Sequence, residues 1–147
     1  MNWILEAKRV FDVPKPEHFT NYKHCEECAE HDETLINSDI DTIGLDELGK
    51  PGWNPICFCS EEGQKYYLPA FIRLSLETMS DDFYFGQFLF HLEYDGENNK
   101  LVNSCSQAQR NYIASFLQYA IENYSSEIEQ NSYDNEVLRA HEIWSKA

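Results

Sequence analysis

The fold turns on one aromatic stretch, Phe83-Tyr84-Phe85-Gly86-Gln87-Phe88-Leu89-Phe90-His91-Leu92-Glu93-Tyr94. Two periodicities compete in it. Phe85, Phe88, Leu89 and Leu92 recur at helical spacing, whereas Phe88, Phe90, Leu92 and Tyr94 alternate as a half-buried strand does. Ser80-Asp81-Asp82 just ahead reads as a helix start and tips the balance to helix. Asp95-Gly96 then makes a turn. With this stretch helical, the expected fold is mainly α. We expect a single domain over residues 1–147 with five to six helices and at most a small accessory sheet.

Working outward, the clearest helix lies downstream. Ser104 with Gln107 has capping-box spacing. Ala108, Tyr112, Ile113, Phe116, Leu117, Ala120, Ile121 and Tyr124 follow as one apolar face. A last helix is expected after Asn131-Ser132, with Tyr133, Val137, Ala140 and Trp144 facing inward. Upstream, Ser60 is placed to cap a helix whose first turn carries Glu61 and Glu62. Tyr67, Ala70, Phe71, Leu74 and Thr78 keep the helical period, but Pro69 within the run is expected to kink or break it. Residues 37–54 hold Gly44, Gly49, Pro51 and Gly52. They read as an extended loop with a short helical turn near Leu45 to Leu48, and Trp53 as its anchor to the core. Residues 19–36 are polar and helix-compatible. Trp3, Ile4, Ala7, Val10 and Phe11 make a first amphipathic helix that Pro14 and Pro16 stop.

The chain has 147 residues, enough for a hydrophobic core without disulfide staples. It carries 26 acids against 11 bases, a formal net charge of -15. Such a chain is repelled by nucleic-acid backbones and anionic membranes and attracted to basic proteins. Neither nucleic acid nor membrane is therefore an expected partner. Five cysteines, an odd number, fit reduced thiols in a cytosol better than a disulfide framework. The first residues lack the basic and apolar regions of a signal peptide, and no stretch approaches a membrane span. A cytoplasmic location is the expectation.

One cluster has metal-ligand chemistry, His24-Cys25-Glu26-Glu27-Cys28-Ala29-Glu30-His31. On a helix, His24, Cys28 and His31 stand at i, i+4 and i+7 and share a stripe, with Cys25 beside it. Imidazole and thiolate are zinc ligands, and Cys57-Phe58-Cys59 offers further sulfur. Buried packing of the thiols is the plainer reading, metal binding the next and redox chemistry the last. The surrounding glutamates are expected to raise the thiol pKa values and so to disfavour a reactive nucleophile. No cofactor is expected, and zinc is the one these residues could take.

Charge is the second feature. Between Lys23 and Lys50 stand nine acids and no base: Glu26, Glu27, Glu30, Asp32, Glu33, Asp39, Asp41, Asp46 and Glu47. Such a block suits a cationic partner surface, or is simply a solvated face and loop. Asn37, Asp39 and Asp41 begin like a calcium loop. Thr42 occupies the place of the turn glycine, however, and Leu48 that of the bidentate glutamate, so the reading fails. No phosphate-binding glycine loop and no nucleophile elbow is present. His18, His91 and His141 have no partners adjacent in sequence. The chain therefore leans away from an enzyme.

Three strings together resemble an uncharacterised bacterial family, a domain of unknown function. They are Phe11…Pro14-x-Pro16…His24-Cys25-Glu26-Glu27-Cys28, then Tyr66-Tyr67-Leu68-Pro69-Ala70-Phe71, then Gln107…Phe116-Leu117. The resemblance spans Ile4 to about Tyr124. It implies a bacterial or phage cytosolic protein and transfers no catalytic role. The pattern includes Cys25 and Cys28 but not Cys57 or Cys59. The leading expectation is a small acidic binding protein that neutralises a basic protein partner, as immunity proteins and inhibitors do. The alternative is a zinc-binding domain centred on His24, Cys25, Cys28 and His31.

Overall fold

Helix starts organise the chain, because each must satisfy backbone N–H groups that have no partner within the helix. In the computed structural model, which describes Met1–Ala147, several are closed by a nearby polar side chain. Asn2 accepts from Leu5 N–H and opens α1, Trp3–Val10. Cys25 opens α2, Glu26–Ile36, through its sulfur. The Glu47 carboxylate accepts from Gly44 N–H at 2.8 Å in the one-turn α3, Leu45–Leu48. Ser60 opens α4, Glu61–Glu77, as its position predicts. Asn99 opens α6, Lys100–Ser104. Ser106 and Gln109 form a reciprocal capping box for α7, Gln107–Asn123. The box expected at Ser104 and Gln107 thus lies two residues further on, because α6 occupies Ser104.

The decisive stretch is helical. It forms α5, Phe85–Glu93, and there is no strand anywhere in the chain. The strand alternation would have put Phe88, Phe90, Leu92 and Tyr94 on one buried face. Instead Phe88 and Leu92 are fully buried, while Phe90 is 50% and Tyr94 65% exposed. Ser80-Asp81-Asp82 is not the helix start it resembles. Asp82 and Phe83 take left-handed φ values of 66° and 44°, and the Thr78 hydroxyl accepts from Tyr84 N–H at 2.9 Å.

Two more helices complete the chain, α8 at Ser125–Gln130 and α9 at Asp134–Lys146. Three 3-10 turns lie at Pro51–Trp53, Pro55–Phe58 and Gly96–Asn98. Nine α-helices therefore replace the expected five to six. The expected turn at Leu45–Leu48 counts as α3, and the additions, α6 and α8, are five and six residues long, too short to register as a period. Pro69 does not break α4. It is buried at mid-helix, where the packing of Tyr67, Leu68, Ala70 and Phe71 around it outweighs one missing backbone bond.

The core runs through α4, α5, α7 and α9 as one cluster. Phe71 meets Phe88 at 5.8 Å, and Phe85 meets Phe116 edge-on at 6.2 Å. Trp144 is buried, and its indole N–H donates to the Leu92 carbonyl at 3.0 Å, tying α9 to α5. Tyr112 ties α7 to α1 by donating to the Trp3 carbonyl at 2.6 Å. On α7 the expected face is buried from Tyr112 to Ala120, but Ala108, in the first turn, is exposed. No helix is long and apolar enough to cross a membrane.

Candidate metal centre

Helix α2 begins at Glu26, one residue beyond Cys25. His24 therefore precedes the helix, in a turn closed by its own N–H donating to the Asn21 carbonyl at 3.0 Å. The expected stripe of His24, Cys28 and His31 does not form. A different stripe does: Cys28, His31, Asp32 and Leu35, at i, i+3, i+4 and i+7, make the buried face of the helix.

His31 leaves the metal set for that reason. Its ring is fully buried, stacked on Phe58 at 5.0 Å and tilted against Trp53 at 4.6 Å. Neither ring nitrogen has a hydrogen-bond partner, and Nε2 lies 3.5 Å from a Glu27 carboxylate oxygen. His31 is the packing piece between α2 and the Pro55–Phe58 turn. Trp53 reaches this ring but stays 44% exposed, so it covers the core rather than entering it. Cys57 and Cys59 do not join the cluster either. Cys59 is buried, which raises its thiol pKa, and exposed Cys57 lines a separate cleft.

Three of the candidate ligands do come together. Donor atoms of His24, Cys25 and Cys28 lie within 4.8 Å of one another. The two sulfurs are 3.2 Å apart, and Cys28 Sγ is 3.7 Å from His24 Nδ1. Cys25 sits at the N-cap in extended conformation, so its sulfur accepts from Cys28 N–H at 3.3 Å. That backbone bond, with the Cys28 thiol and His24 beside it, lowers the Cys25 pKa to about 7. The glutamate effect expected from sequence is overruled here, because a direct hydrogen bond outweighs charges that point into water. Cys28 shifts the other way, raised chiefly by its hydrogen bond with Cys25 and then by burial.

The turn carrying His24 is held from beneath by Asp32. Its carboxylate accepts from Phe19 N–H at 2.6 Å and Thr20 N–H at 3.2 Å, and bonds His18 Nδ1 at 2.7 Å. Thr20 in turn donates its hydroxyl to the Cys28 carbonyl at 2.6 Å. Asp32 is 3% exposed, so it cannot serve a partner surface as the sequence suggests.

Other acids of the expected block are also engaged. Lys8 of α1 pairs with Asp41 at 2.7 Å, holding that carboxyl below its usual pKa, and Lys15 pairs with Asp39 at 3.3 Å. Glu47 closes α3. Arg73 of α4 donates to the carbonyls of Ile40 and Ile43. A stretch without a base in sequence thus meets three cations in space. What remains open is Glu26, Glu30 and Glu33 along α2, Asp46 on α3, and half-buried Glu27.

A cleft of about 450 Å³ lies between the Pro55–Phe58 turn and the end of α5, rimmed by Phe58, Phe90 and Tyr94. His91 lines it, with Nε2 lacking a hydrogen-bond partner, and burial lowers its pKa to about 4. No protein-family model, no curated protein and no solved structure matches the chain.

Proposed function

We propose that the protein binds a zinc-class metal ion through His24 Nδ1, Cys25 Sγ and Cys28 Sγ, with a fourth position left for water or a partner's ligand. The supporting observation is the spacing of the three donors. Tetrahedral zinc, at about 2.3 Å from sulfur and about 2.0 Å from nitrogen, has sulfur–sulfur edges of about 3.8 Å and sulfur–nitrogen edges of about 3.5 Å. Cys28 and His24 stand at 3.7 Å, within about 0.2 Å of that edge. The sulfurs, at 3.2 Å, need to part by about 0.6 Å, a rotamer-scale adjustment for an exposed Cys25. A metal also favours thiolate, which Cys25 reaches near neutral pH.

Cobalt(II) titration of the reduced protein tests this. A thiolate-to-cobalt charge-transfer band saturating at one equivalent is the expected result, with zinc displacing it. Cys28→Ser and Cys25→Ser lose the band, and His31→Gln keeps it. A reduced, folded protein that develops no band in excess cobalt would end the proposal.

A second reading has its own support. Glu26, Glu30 and Glu33 project from one side of α2 at i, i+4 and i+7, form no ion pair, and lie beside the metal ligands. This stripe suits a basic protein surface, a narrower target than the nine acids of the sequence block. Reversing all three charges to lysine abolishes salt-sensitive capture of that partner under this reading. Substituting Asp39 and Asp41 leaves capture intact.

A further inference from the structure

We propose that Cys25 and Cys28 form a reversible dithiol–disulfide couple, with Cys25 as the thiol that attacks an external disulfide and Cys28 as the thiol that resolves the mixed disulfide. The proposal concerns the metal-free protein and does not rest on the zinc reading, although both use the same two sulfurs.

Three structural facts carry it. The sulfurs are in contact at 3.2 Å, so closing a bond of about 2.05 Å needs little more than a side-chain rotation. The two thiols differ in access: Cys25 is exposed at the end of α2, while Cys28 is 6% exposed beneath it. An incoming disulfide therefore reaches Cys25 first. Lastly, the Cys25 sulfur receives the Cys28 N–H at 3.3 Å, which aims it along the helix start and back toward Cys28. No other cysteine offers this combination. Cys59 and Cys105 are buried, and Cys57 is exposed but has no second sulfur in hydrogen-bond contact.

The chemistry closes with a low-molecular-weight disulfide such as oxidised glutathione as oxidant. The Cys25 thiol gives its proton to water, and its sulfur attacks one sulfur of the external disulfide. The external S–S bond breaks and releases one glutathione thiolate. The Cys28 thiol then gives its proton to water and attacks Cys25 Sγ, which releases the second thiolate. Two protein thiols are oxidised, one external disulfide is reduced to two thiols, and the two protons lost by the protein balance the two thiolates formed. Reduced glutathione in excess runs the same steps backwards.

The test uses the full chain, stripped of metal by chelation, in mixtures of oxidised and reduced glutathione, then quenched by alkylation. Cleavage before aspartate releases Asp12–His31, which contains Cys25 and Cys28 and no other cysteine. The expected product is that peptide two hydrogens lighter and unalkylated, fully restored by excess reductant. It should form roughly tenfold or more faster than a glutathione adduct at Cys57. Cys28→Ser accumulates glutathione on Cys25, whereas Cys25→Ser leaves Cys28 free. Serine is a good N-cap, so Cys25→Ser keeps the helix start, and far-ultraviolet dichroism verifies it. Separate adducts on the two cysteines, or two free thiols where Cys57 is already modified, overturn the proposal. Prior saturation with zinc should slow disulfide formation. If it has no effect while the metal-free disulfide still forms, the zinc reading fails and the thiol couple stands.

Discussion

Replacing Asp32 by alanine should destabilise the whole protein, because this acid is a structural anchor and not a surface charge. Its carboxylate takes two backbone N–H groups, those of Phe19 and Thr20, in a region where Phe19 is 0% and Thr20 9% exposed. Alanine leaves both donors buried without an acceptor, and each such orphan costs about 1–3 kcal/mol. The His18 contact adds little, since that ring is 41% exposed and water can replace its partner. The expected loss is about 3 kcal/mol, a large share of the 5–15 or so typical of a domain. With a urea m-value of about 2 kcal/mol/M, the midpoint should fall by about 1.5 M at unchanged slope. Asp32→Asn keeps one carbonyl acceptor and should lose roughly half as much. Equilibrium urea unfolding followed by tryptophan fluorescence measures both. A midpoint shift under about 0.5 M for Asp32→Ala would refute the anchor and return Asp32 to the acidic surface.

Two further outcomes follow from buried positions. At Gly63 an added Cβ would press on the buried Cys59 sulfur and stand 2.7 Å from Phe19 Cδ1, whereas at Gly86 it would meet the far end of the half-buried Tyr133 ring at 2.7 Å. Gly63→Ala should therefore cost about 2 kcal/mol, and Gly86→Ala should come close to neutral once the helix-propensity gain is counted; equal midpoints in thermal melts would contradict this. Burial holds the His91 pKa at about 4, below its unfolded value, so the unfolded chain binds more protons between those two values and stability is lost as pH falls through that window. His91→Gln should make the loss between about pH 8 and pH 4.5 smaller by on the order of 2–3 kcal/mol in urea melts, and an unchanged loss would show that His91 is not the group responsible.

Much of the fold is legible in the sequence wherever one period runs long enough to repeat. Helices α1, α4, α5, α7 and α9 announce themselves by apolar spacing, and even the single turn at Leu45–Leu48 falls where glycines isolate it. Boundaries fare worse, for physical reasons. Ser80-Asp81-Asp82 has the composition of a cap, but its backbone is spent on a left-handed reversal that lets α5 fold back on α4. Ser104 and Ser106 both satisfy the capping pattern, and only the short α6 decides between them. The site was half visible. A Cys-x-x-Cys beside a histidine marks it, but whether the helix begins before His24 or after Cys25 decides whether those two residues join its face. His31 stays on the face of Cys28, and its packing against Phe58 and Trp53, which no period announces, makes it a core residue.

The packing of α2 explains why one short segment holds both thiols and an anchoring carboxylate. Helix α2 has too few large apolar side chains to dock by burial alone; its inward face is Cys28, His31, Asp32 and Leu35. Asp32 compensates by binding the backbone of Phe19 and Thr20, and Thr20 closes the loop on the Cys28 carbonyl. Chain leaving Thr20 has only Asn21, Tyr22 and Lys23 before His24. The distance between His24 and Cys28 is therefore set by a closed circuit, from Asp32 through residues 19–24 and back along α2. A carboxylate that never touches the three donors acts on them as a positioning residue. In Asp32→Asn, which should still fold, cobalt affinity should fall while the stoichiometry stays at one. An affinity equal to that of the parent protein would mean that the Asn21–His24 turn holds its shape unaided.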